Sequence, residues 1–157
     1  MSTPNSLRSD SFTQFVKEVE ARLQHALVAR YGLDLGRESA AEALAYAWEN
    51  WERVQPMVNP AGYLYRVATS RSRRMRRPTP ILPEVVVDSP IWVEPHLPKA
   101  LERLSANQRT AVLLVHSFEY THSEAADVMG IAGGTLRKHL ARGMTKLRSD
   151  LEVDDEV

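Results

Sequence analysis

The stretch from Met129 to Gly143 reads "MGIAGGTLRKHLARG" and joins two helical patterns. Gly130, Gly133 and Gly134 stand between them, and Arg137, Lys138, His139 and Arg142 follow with no acid among them. Glycine enters the left-handed conformation that ends a helix at little cost, so Gly130 is the expected corner, with Ile131 plugging the turn into the core. Upstream, Thr121-x-x-Glu124 is a capping box ahead of Ala125, Val128 and Met129. Downstream, Leu136, Leu140, Met144, Leu147 and Leu151 recur at helical spacing and form an inward stripe. That leaves Arg137, Lys138, Ala141 and Arg142 facing outward. A short helix, a glycine corner and a second amphipathic helix with a basic outer face make a helix-turn-helix. Its outer side chains stand where a recognition helix reaches base edges and phosphates in a major groove. Thr135 lies near the start of that helix, where backbone N–H groups also favour a phosphate.

The rest of the chain extends the helical reading. Ser105-x-x-Gln108 is another capping box, ahead of Ala111, Val112, Leu114, Val115 and Phe118. In the first half, Phe12, Phe15, Val16, Val19, Leu23, Ala26 and Leu27 form one apolar stripe that Gly32 ends. Ala41, Leu44, Trp48 and Trp51 form a second, ended by Pro56. Asn59-Pro60 is a helix start, with Asn as N-cap and Pro in the first turn. Tyr63, Leu64, Val67, Ala68 and Met75 then share one side of a third helix, and Trp48 and Tyr63 are expected in the core. Between Pro78 and Pro98 fall six of the nine prolines, which predicts an extended linker, with a short strand at "EVVVD" as the alternative. The expected organisation is all-α: a flexible N-terminus (1–10), a helical domain (11–77), a proline-rich linker (78–97), a helix-turn-helix domain (98–150) and an acidic tail (151–157).

The formal net charge is zero, yet the charges are segregated. Asp34 to Glu52 holds five acids and one base, Arg66 to Arg77 six arginines and no acid, and Thr135 to Arg148 five Lys or Arg and no acid. Two basic faces on one small protein point to two contacts with a polyanion. The chain has no cysteine, which excludes disulfides and cysteine zinc sites. His25, His96, His116, His122 and His139 are scattered, with no pair at ligand spacing beside a carboxylate. No phosphate loop or nucleophile motif appears, so the expectation is a non-enzyme without cofactor or metal. No signal peptide or membrane-spanning run is read, and a cytoplasmic protein is expected.

"FEYTHSEAADVMGIAGGTLRKHLARGMTKLR" (118–148) resembles region 4 of bacterial sigma factors in Ala126, the Gly130-Ile131 turn, Gly134-Thr135, Leu140, and Arg142 with Lys146-Leu147-Arg148 after it. The preceding segment from Leu97 resembles the start of that region, with Ser105 where proline is usual. "AAEALAYAWENWERVQPMVNPAGYLYRVATSRSRRMRR" (40–77) is similar to region 2 of the small extracytoplasmic-function (ECF) sigma factors of the sigma-70 family, above all in "NPAGYLYRVA".

The resemblance implies a protein that binds core RNA polymerase and brings it to promoter DNA. The acidic helix, with Glu38, Glu42, Tyr46, Glu49, Trp51 and Glu52, would dock on the β′ clamp helices. The loop "QPMVNP" and the next helix, with Asn59, Tyr63, Arg66, Ser70, Arg73, Arg74 and Arg77, would meet the −10 element. The recognition helix, with Thr135, Arg137, Lys138, His139, Ala141, Arg142 and Lys146, would read the −35 element while its domain touches the β flap. An anti-sigma factor is a further expected partner. The alternatives are a helix-turn-helix regulator, which leaves "NPAGYLYRVATSRSRR" unexplained, and a degenerate sigma-like protein acting only through protein contacts.

Overall fold

A computed structural model describes residues 3–72 and 96–155, and all regular structure among them is helical. In chain order the elements are α1 (Pro4–Tyr31), α2 (Leu33–Glu49), α3 (Trp51–Val54), α4 (Pro60–Ser72), α5 (Leu97–Arg103), α6 (Ala106–Val112) with a π-helical turn (Leu113–Ser117) continuing it, α7 (His122–Met129) and α8 (Gly133–Asp155). The expected linker, the alternative strand at "EVVVD", and Arg73, Arg74 and Arg77 lie outside the described residues.

The first helix begins at Pro4, two turns before the apolar stripe, where a flexible N-terminus was expected. Thr3 caps it by accepting from the Ser6 N–H at 3.2 Å, and Pro4 supplies a pre-set first turn. Arg8 anchors this extension: its Nη2 donates to the Trp48 carbonyl at 2.6 Å and its guanidinium lies 4.5 Å from the Trp48 ring centre. At the other end, α8 continues through Asp155 and takes up part of the acidic tail.

α1 and α2 form an antiparallel hairpin around Gly32. The buried face of α2 is made of small residues, Gly36, Ser39, Ala40, Ala43 and Ala47. A Cβ at position 36 would sit 2.5 Å from the Val28 backbone, so the two helices touch main chain to main chain there. This corrects the expected stripe. Large apolar residues suggested the inward face, but close helix approach selected the alanines. Leu44 is half-buried and Trp48, expected in the core, is 37% exposed. Trp51 takes the core place, donating from Nε1 to the Ser11 hydroxyl at 2.9 Å and packing against Phe12 and Phe15. Tyr63 is half-buried rather than interior.

Both capping boxes form as the sequence predicts, Ser105 with Gln108 and Thr121 with Glu124. The two halves then pack on each other. α1 is the shared element: it contacts α2 and α4 of its own half and α6, α7 and the π turn of the other. Leu23, Leu27, Leu64, Leu114 and Leu136, all fully buried, belong to one continuous apolar cluster.

Candidate nucleic-acid interface

The helix-turn-helix is built as read. Gly130 ends α7 with φ 64° and ψ 35°, and the Ile131 N–H donates to the Ala126 carbonyl at 3.0 Å. Ile131 packs against the core edge. α8 starts at Gly133, with the Leu136 N–H donating to the Ala132 carbonyl. Leu136, Leu140 and Leu147 are buried, while Thr135, Arg137, Lys138, Ala141, Arg142 and Lys146 are exposed and His139 is half-buried. The outward residues thus share one acid-free surface. A shallow groove runs along it beside Ala141, Arg142, Thr145, Lys146 and Ser149. Lys146 is already engaged: its Nζ donates to the Arg103 carbonyl at 2.6 Å, on the negative C-terminal end of α5.

The second basic surface lies on α4 and the loop before it. Asn59, Arg66 and Ser70 are exposed. Asn59 caps α4, its Oδ1 accepting from the Gly62 N–H at 3.1 Å. Its amide Nδ2 donates at 2.8 Å to the carbonyl of Asp127 in α7, and Arg66 donates from Nη2 to the Gly130 carbonyl. Two residues of the expected −10 surface are therefore tied to the helix-turn-helix corner. Tyr63 meets Tyr46 of α2, hydroxyl to hydroxyl at 2.9 Å, with Arg53 3.4 Å away. The hydrogen bond to Tyr46 is the main cause that raises the Tyr63 phenol above its ordinary value. Arg71, exposed, lies 4.9 Å from the Tyr46 ring centre. Arg71 belongs to the same arginine run as Arg66, so counting that run could have placed it in the site.

The acidic surface forms on α2 and α3. Glu38, Glu42, Glu49 and Glu52 are exposed and Tyr46 is half-buried. Trp51, assigned to this docking surface, is buried at 4% exposure, because its indole fills the gap between Phe12 and Phe15. The aromatic ring at this surface is that of Trp48, beneath Arg8. Among the described residues no group of His or acidic side chains is arranged to hold a metal ion. No described helix is long and apolar enough to cross a membrane.

Fold and surfaces together define a helix-turn-helix protein with a second basic helix in its other half. The model of "Sigma-70, region 4" matches residues 97–147. Relatives named RNA polymerase sigma-E factor, from Streptomyces coelicolor and Streptomyces antibioticus, are each 30% identical over 125 residues, spanning 72% of this chain and 70% and 68% of theirs. The fold is similar to that of the sigma factor RpoE from Bartonella quintana, solved in complex with the anti-sigma factor NepR, with a TM-score of 0.60 at 22% identity over 91% of this chain and 98% of that one. This chain belongs to the sigma-70 family of RNA polymerase sigma factors, in its extracytoplasmic-function group. It is a sigma factor, a protein that directs transcription.

Proposed function

We propose that this chain binds core RNA polymerase in the cytoplasm and selects promoters by two separate contacts, acting by binding and not by catalysis. The exposed, acid-free face of α8, carrying Arg137, Lys138 and Arg142 on a helix-turn-helix, is the observation that carries this reading. Arginine can fork onto guanine and lysine supplies charge, so this face suits the −35 element. Asn59, Tyr63, Arg66 and Ser70, with the loop from Gln55, suit the −10 element and its separated strands; Arg73, Arg74 and Arg77 extend the same basic run in sequence. Glu38, Glu42, Glu49 and Glu52 suit a basic protein surface such as the β′ clamp helices, and the helix-turn-helix domain would also meet the β flap. The solved neighbour was crystallised with an anti-sigma factor, and a protein of that kind is the further partner proposed here. The proposed units are 11–77 and 98–150, joined by 78–97.

The test is run-off transcription with purified core polymerase over a pool of genomic promoters. A set of transcripts sharing a two-part upstream sequence is expected. Core binding with no promoter-specific product would overturn the reading and favour a sigma-like protein that works only through protein contacts.

A further inference from the structure

Tyr46 stands between Glu42 and Glu49 on the acidic helix, yet its side chain is turned toward α4. Its hydroxyl meets that of Tyr63, in the first turn of α4, at 2.9 Å, and the two ring centres are 6.3 Å apart at 47°. Arg71, in the last turn of α4, lies 4.9 Å from the centre of the Tyr46 ring. On α4, position 71 is about two turns, or about 12 Å, beyond position 63. One side chain of α2 thus spans the length of the basic helix. Arg53 of α3 joins the group, donating to the Tyr63 hydroxyl at 3.4 Å. Both tyrosines are half-buried and both arginines are exposed.

A hydrogen bond that water can replace adds little to stability, so the hydroxyl pair is a weak device for holding α2 on α4. A phenylalanine at position 46 would keep the ring and its packing. What the pair does is fix the rotation of the Tyr63 ring. An aromatic face beside an arginine is the chemistry that takes a single strand: bases stack on the ring and phosphates meet the cation. A ring already held in place loses less freedom when a base arrives. Arg71 lies over one face of Tyr46 itself, so Tyr46 acts through its hydroxyl and through the cation it seats.

We propose that Tyr46 is a positioning residue of the nucleic-acid surface and not a docking residue for polymerase. Its hydroxyl sets the Tyr63 ring and its own ring seats Arg71, so that α4 presents an aromatic face and a cation at a fixed spacing to one single strand. The boundary between the acidic and the basic surface then runs along α2 at Tyr46, with Glu42 and Glu49 on the protein side. The proposal rests on assigning Tyr63 to DNA, as above.

The first measurement needs no DNA. In the full chain with ¹³C-labelled tyrosine rings, Tyr46→Phe should bring the Tyr63 phenol down from its raised value toward 10.0, because the main cause of the rise is removed. An unmoved Tyr63 titration overturns the proposal. In the second, holoenzyme reconstituted from core polymerase and each full-length variant is bound to a labelled single strand of mixed sequence, with core polymerase alone as baseline. Tyr46→Phe should weaken strand binding about fivefold. Its affinity for core polymerase, measured by competition against labelled wild-type chain, should stay unchanged. The double variant Tyr46→Phe, Tyr63→Phe should lose no more than Tyr63→Phe alone, since the two substitutions remove the same bond. Lost core affinity in Tyr46→Phe would return Tyr46 to the docking surface, and additive losses would make the tyrosines independent; either result overturns the proposal. Tyr63→Ala keeps the two questions apart. If it leaves strand binding unchanged, the assignment of Tyr63 to DNA falls and takes the positioning role with it. If it weakens binding while Tyr46→Phe does not, the positioning role alone falls.

Discussion

Gly130 occupies a backbone state that a side chain disfavours, and a Cβ there would also come within 3.0 Å of Arg66 Nε. Gly130→Ala should cost about 1–2 kcal/mol from left-handed strain, read as a lower urea midpoint at unchanged slope. On α8 the residues divide by chemistry. Arg137→Ala and Arg142→Ala are each expected to cost about 1–3 kcal/mol at particular −35 positions and relax selectivity there. Lys146→Ala should weaken all promoters alike and lower the salt dependence by about one charge. Transcription of normal and −35-mutant promoters with unchanged selectivity by both arginine variants would move this face from DNA to a protein surface. His25 adds a pH dependence. Burial lowers its imidazole below the ordinary value of 6.5, so the folded state prefers the neutral ring. The Tyr120 hydroxyl faces it, and Arg22 and Glu124 act on that phenol. The stability His25 contributes is present above 6.5 and is lost as pH falls through 6.5 toward the lowered folded value. His25→Phe keeps the stack on Phe118 and should flatten that part of an unfolding-versus-pH curve.

Individual helices show which local signals were readable. Thr121 and Glu124 satisfy each other's backbone partners as the four-residue motif predicts. Thr121→Ala should destabilise the helix-turn-helix by about 1 kcal/mol, visible as faster amide exchange in the first turn of α7. The glycine corner, the leucine stripe of α8 and its basic face were likewise legible, because each depends on residues within one turn of one another. α2 was read on the wrong face. Its large residues look like the core, yet its buried residues are Gly36, Ser39, Ala40, Ala43 and Ala47, and at Gly36 what requires the small residue is the nearness of the Val28 backbone. That distance belongs to the pair of helices and is invisible in either alone. Of the two tryptophans placed in one inward stripe, Trp51 is buried between Phe12 and Phe15 and Trp48 is exposed beneath Arg8. The π turn at Leu113–Ser117 carries no marker in its sequence, since "LLVHS" fits an α-helix equally well.

At the scale of the molecule, α1 packs against elements of both halves, and this sets how the chain should melt. Leu23 is fully buried, so Leu23→Ala should cost about 2–5 kcal/mol. Because α1 also contacts α6 and α7, exchange protection in α6 should fall together with that in α2. Protection that persists in α6 would mean the halves fold independently. The family and the helical class were open to reading from motifs in both halves, whereas the interface between them was not. Its donors are ordinary surface residues such as Asn59, Arg66 and Arg109, and four of its acceptors are backbone carbonyls, which no sequence pattern distinguishes.

Gly62 and Gly130 lie far apart in sequence, yet Gly62 leaves room for the Asp127 carbonyl and Gly130 for the Gly62 carbonyl. Alanine at position 62 would favour α4 as an isolated helix by roughly 1 kcal/mol but wedge the two halves apart. Selection on the helix and selection on closure therefore pull this position in opposite directions. Across related chains, glycine at both places would mark those able to fold shut, and a side chain at either would mark those that stand open. The pair thus offers a two-letter readout of resting posture, usable on relatives for which no coordinates exist.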